Sequence, residues 1–100
     1  MKAYRVAHTD PMGFDREIAY FLKLIDAQAE HEKRISAARI REDLVDFEDT
    51  DGEAPIKEHY DPLHLRSTWV SIWETWSNEN GTESEIVGYE IITDEIEIAE

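Results

Sequence analysis

From Ser67 to Ile92, apolar and polar residues alternate on both sides of Asn80-Gly81, the pattern of two strands joined by a tight turn. Asn-Gly suits a type I′ turn, which needs φ > 0 at both central residues. With those residues as the turn, Trp73 faces Gly88, Ile72 faces Tyr89, Val70 faces Ile91 and Trp69 faces Ile92. Alternation then sends Val70, Ile72, Val87, Tyr89 and Ile91 to one face, and Trp69, Trp73, Ile86 and Ile92 to the other. Both faces are partly apolar, so the rest of the chain must cover at least one of them.

Lys2 to His8 alternates as a short strand, with Tyr4, Val6 and His8 on one face and Ala3, Arg5 and Ala7 on the other. Asp10-Pro11 resembles a helix entry, an N-cap followed by proline at the first helical position. Phe14, Ile18, Phe21, Leu22, Ile25 and Ala29 then recur at helical spacing, with Asp15, Lys23, Asp26 and Glu30 opposite. His31-Glu32-Lys33-Arg34 interrupts that stripe. A second helix capped by Ser36 is expected over Ala37 to Phe47, on the stripe Ile40, Leu44 and Phe47. Residues 49–65 read as a loop broken by Gly52, Pro55 and Pro62. Glu95 to Ile98 alternates as a last strand after a turn at Thr93-Asp94, its acidic face beside Lys2 and Arg5. These elements predict one α+β domain over residues 1–100 in the order β-α-α-β-β-β. Its antiparallel sheet has three to four strands, with two helices packed on one face.

Composition adds bounds. At 41% hydrophobic with ten aromatic residues, the chain can bury a modest core. It has no cysteine, which removes disulfides, thiolate metal sites and cysteine nucleophiles and fits a reducing cytosol. No apolar run approaches the ~18 residues of a membrane span, and Met1 to Arg5 lacks the start of a signal peptide. The net charge of −14 is unevenly placed. Residues 1–41 carry eight Lys/Arg against six Asp/Glu, whereas residues 42–100 carry two against eighteen. A negative half of this kind suits a basic protein partner and repels nucleic acid.

Seven of the twelve residues from Glu42 to Glu53 are acidic, namely Glu42, Asp43, Asp46, Glu48, Asp49, Asp51 and Glu53. Four of these would stand at the C-terminal end of the second helix, where the helix dipole disfavours anions. Asp49, Asp51, Gly52 and Glu58 match part of a calcium-loop signature over residues 47–58, but Phe47 holds its first ligand position and Pro55 falls inside it. A calcium-binding or merely solvated interaction domain is therefore an alternative. His59 and His64, near Glu58 and Asp61, are a possible metal cluster whose spacing fixes no geometry. His8 and His31 show no partner. Phosphate-binding glycine loops, dinucleotide fingerprints and nucleophile elbows are all absent, so neither an enzyme nor a cofactor is expected.

Of the three tryptophans, Trp69 and Trp73 read as core. Trp76 falls on the opposite face near the turn, beside Glu74, Glu83 and Glu85, and suits a partner-binding anchor. Alternate strand residues stand about 6.8 Å apart, two steps of the ~3.4 Å phosphate rise of one DNA strand. Glu83 with Glu85, Glu95 with Glu97, and a helical set of Glu42, Asp46 and Asp49 could present charge at that density.

In size and in the charge of Glu42–Glu53 and Glu74–Glu100, the chain resembles the small acidic inhibitors that phages encode against bacterial defence systems, among them anti-CRISPR proteins and other DNA mimics. That resemblance in type implies a non-enzymatic inhibitor in a bacterial host cytosol, blocking the basic nucleic-acid-binding surface of a nuclease or defence complex. An immunity protein or antitoxin against a basic toxin would use the same physics.

Overall fold

The computed structural model describes residues 1–99; Glu100, the last carboxylate of the acidic C-terminal run, lies outside them. The elements are β1 (Lys2–Thr9), β2 (Asp15–Phe21), α1 (Leu24–Arg39), a 3-10 turn (Phe47–Thr50), β3 (Ile56–His59), β4 (Arg66–Asn78) and β5 (Gly81–Glu97). All five strands pair antiparallel in one sheet of order β2-β1-β5-β4-β3. The expected sheet of three to four strands with two helices is thus corrected to five strands and one helix, in the order β-β-α-β-β-β.

The first departure is at Asp10. Its carboxylate accepts the backbone N–H groups of Met12 and Phe14, both at 3.0 Å, so it closes a hairpin loop instead of capping a helix. The returning chain pairs with β1, setting Phe21 against Tyr4 and Ala19 against Val6. Ile18, Tyr20 and Phe21 are β-branched or aromatic, residues that suit a strand, so the 14–29 stripe is divided between β2 and the start of α1. The helix then runs unbroken through His31–Arg34, and its buried stripe is Ala27, His31, Ile35 and Ala38. It ends at Arg39, so the expected helix over Ala37–Phe47 is not formed and the acids from Asp46 onward lie around a 3-10 turn, on no α-helix end.

The helix lies on one face of the sheet, where Val6, Ala27, Ile35, Ala38, Val70 and Ile91 form the core, ringed by Tyr4, Phe21, Leu44, Ile56, Ile72 and Tyr89. His31 is fully buried in that interface. Its Nδ1 lies 2.7 Å from the Thr93 hydroxyl and its Nε2 lies 2.8 Å from the Thr68 hydroxyl. Thr68 donates its single proton to Glu58 at 3.0 Å, so Nε2–H donates to Thr68 and Nδ1 accepts from Thr93. A residue read as partnerless is in fact the polar pin between helix and sheet.

The β4–β5 hairpin forms with the faces expected but a shifted register. Asn78 pairs with Gly81, Trp73 with Ile86, Val70 with Tyr89 and Trp69 with Glu90. Gly81 takes the positive φ (115°) while Asn80 does not, so Glu79-Asn80 form the turn and the pairing moves by two residues. A shift of two preserves parity, which is why every side chain keeps its face. The neighbour of Gly88 changes with the register: Trp69, not the Trp73 expected to face it, lies across Gly88. β5 passes through Thr93-Asp94 without turning and pairs along β1, with Lys2 opposite Glu97 and Arg5 opposite Asp94. Residues 49–65 are not one loop, since β3 adds a short edge strand there.

Candidate functional site

β4 and β5 outrun their neighbours. β1 pairs with β5 only as far as Thr9 opposite Glu90, and β3 pairs with β4 only as far as Ile56 opposite Val70. Residues 43–45 extend the β4 edge a little further: Val45 N–H donates to Ser71 (3.1 Å), Trp73 N–H donates to the Asp43 carbonyl (2.7 Å), and Leu44 bridges to Ile72. Beyond Trp73 and Ile86 the ladder has two strands alone. This arm, Glu74–Asn78 with Gly81–Glu85, projects about 17 Å and gives the molecule its 56 × 29 × 23 Å shape.

On the arm, Glu74 stands directly opposite Glu85, and Trp76 opposite Glu83. All four are exposed, Trp76 at 39%. They share the sheet face of Ile72, Val87 and Tyr89, on which, past the end of α1, an open trough of about 760 Å³ begins. Asp10, Glu17, Asp43, Glu74 and Glu85 rim it together with Arg16, which is ion-paired to Asp10 at 3.3 Å, and Ile72, Val87 and Tyr89 form its apolar floor. Arg41 lies over the Tyr89 ring at 5.5 Å, and its two hydrogen bonds to Asp43 (2.7 and 2.8 Å) hold that carboxyl below the usual range. His8 packs against Tyr89 with ring centroids 5.0 Å apart. Burial, then the nearby Arg34, push the His8 imidazole down toward its neutral form.

Among the described residues the carboxylates fall into two groups. Many are neutralised within the fold: Asp15 by Arg5, Glu30 by Arg34, Glu58 and Glu32 by Arg66, Glu53 by Lys57, Glu95 by Lys2 and Glu97 by the N-terminal amine. Those without an ion-pair partner are Glu42, Asp46, Glu48, Asp49 and Asp51 on the segment after α1, Glu74, Glu79, Glu83 and Glu85 on the arm, and the isolated Asp26 and Glu90. Residues 43–45 run antiparallel to Ser71–Trp73, so Glu42 stands at the base of the arm, whereas Asp46, Glu48, Asp49 and Asp51 lie on a segment that leaves and rejoins the β4 edge at Ser71, away from the arm's tip.

Comparison with protein-family models, with curated proteins and with solved structures gives no match.

The site therefore rests on geometry alone. Of the residues singled out in the sequence, Glu74, Trp76, Glu83 and Glu85 come together on the arm, whereas Glu42, Asp46, Glu48, Asp49 and Asp51, also without ion-pair partners, form a separate group after α1. Asp43 and Glu53 are spent on Arg41 and Lys57. The helical spacing of Glu42, Asp46 and Asp49 does not exist, since 47–50 is a 3-10 turn. Glu95 and Glu97 pair with Lys2 and the N-terminus, away from the arm. In the calcium-loop segment, Glu58 faces Arg66 from β3, and its hydrogen bonds to Arg66 hold it below the ordinary carboxylate range. His59 is exposed, while His64 is hydrogen-bonded to Asp94 and lies 3.7 Å from Asp61. No group of three or more His, Cys, Asp or Glu is arranged to hold a metal ion among the described residues, and no helix there is long and apolar enough to cross a membrane. Asp10, Glu17 and Tyr89 were missed as trough residues; β1–β5 pairing brings them there, and no local motif announces it.

Proposed function

We propose that this chain is a non-enzymatic inhibitor whose acidic end occupies the basic, nucleic-acid-binding surface of a nuclease or defence complex in a bacterial cytosol. The observation that carries this reading is the group of Glu74, Glu83 and Glu85, none with an ion-pair partner, beside the exposed Trp76 on the arm. A partner groove lined with lysine and arginine would relieve the Glu74–Glu85 repulsion and give Trp76 an apolar seat. Glu83 and Glu85, on one strand face at about 6.8 Å spacing, present charge in the manner of alternate phosphates.

The test is capture from bacterial lysate on immobilised protein at low salt, eluted with a salt gradient. The expected outcome is a basic nucleic-acid-binding protein, released as salt rises and displaced by added duplex DNA. Glu74→Lys, Glu83→Lys and Glu85→Lys together should abolish capture, whereas Glu95→Lys should leave it nearly intact. Capture unaffected by the triple reversal would overturn the proposal.

A further inference from the structure

The two edges of the sheet are treated differently. β3 is four residues long, carries Lys57 and Glu58 and follows Pro55, all features that discourage further pairing. β2 is protected only in its first half, where Asp15, Arg16 and Glu17 are charged and a bulge sets Glu17 at φ 52°. Its second half, Ile18–Phe21, is uncharged, and its pairing with β1 is regular from Ala19 to Phe21. Large apolar side chains stand in water along it and just beyond: Tyr20 is 63% exposed, Leu22 66% and Ile25 70%. Tyr20 and Leu22 also flank a shallow apolar groove of about 350 Å³ shared with Ile96 and Ile98 on the helix-free face. On a chain of charge −14, an acid-free apolar stretch over residues 18–25 is anomalous.

We infer that a second copy of this chain pairs antiparallel with β2, joining two five-stranded sheets into one across a two-fold axis at Tyr20. The segment is self-complementary in that register. Tyr20 meets Tyr20 of the second copy within the strands, while Ile18 meets Leu22 and the side chain of the bulged Glu17 meets Lys23 just past the strand's end. The charge match is specific to this arrangement. Lys23 has no ion-pair partner among the described residues, and Glu17 has only His8, 3.5 Å away and pushed toward neutrality. β2 lies at the opposite sheet edge from β3 and the 42–51 segment, so the join keeps those unpaired acids apart. It also buries apolar surface that the monomer leaves in water.

Sedimentation equilibrium of the full chain, from roughly one micromolar to one millimolar, tests this. The expected result is a mass rising from one chain to two chains of 11.7 kDa. Lys23→Glu and Glu17→Lys should each loosen the dimer about tenfold, since each places two like-charged pairs at the join, and the double exchange should restore it. Tyr20→Lys, at an exposed position that leaves the fold intact, should give a monomer with an unchanged circular dichroism spectrum. A single-chain mass over the whole range would overturn the inference, as would a dimer indifferent to both Tyr20→Lys and Lys23→Glu.

Discussion

A Cβ on Gly88 would lie 2.0 Å from Cζ2 of Trp69, so the indole can lie across the strand only because residue 88 has no side chain. Gly88→Ala forces the ring aside, and we expect a loss of about 1–3 kcal/mol, measured as a lower urea midpoint. His31 gives a second residue-scale prediction. Burial and the nearby Arg66 push its imidazole down to about 4 from 6.5. The unfolded chain therefore takes up the proton first, and stability is complete above pH ~6.5 and falls as pH drops toward 4, by ~3 kcal/mol over that window. His8, shifted the same way, adds with the same sign. Urea unfolding at pH 7 and pH 5 should show the loss, and a flatter profile in His31→Gln would assign it. Neither role is readable from sequence. A glycine in a strand does not say which of two tryptophans lies over it, and a histidine among charged neighbours looks solvated until Thr68 and Thr93 arrive from distant strands.

At the scale of elements, the arm is built against its own stability. Like charges directly opposite on an exposed ladder are destabilising, and the two-stranded segment has no third strand or helix to support it. Glu85→Lys would place a lysine opposite Glu74 and should raise the melting temperature, by ~0.2–1 kcal/mol of stability, while weakening partner capture. A variant that gained both stability and binding would remove the functional reading of the pair. Strand β1 and both faces of the hairpin were legible because alternation survives a two-residue slip in register. The helix was not, because three of its four buried positions are alanine or histidine and carry little apolar signal. β2 was mistaken for helix because its residues satisfy helical spacing as well as the pairing that β1 imposes. β3 was hidden by its four-residue length between Pro55 and Pro62.

For the molecule as a whole, the sequence showed where charge accumulates but not where it is spent. Two stretches equally acidic in sequence, Glu95–Glu97 and Glu83–Glu85, have different fates because only the first meets Lys2 and the N-terminus across β1. The unmatched remainder repels itself. Added salt should therefore raise the melting temperature of the free chain by a few degrees while lowering its affinity for a basic partner. Scanning calorimetry beside binding titrations over the same salt range would check that opposition of sign.

The lone two-stranded projection has one more consequence, and it lies in time. Its backbone amides open to solvent without disturbing the core, so deuterium should enter residues 75–84 far faster than the ladder around Val70 and Ile91. When a target closes over the arm, that labelling should slow there first. The free protein would then carry a kinetic footprint of its own binding site, readable peptide by peptide before the target has a structure.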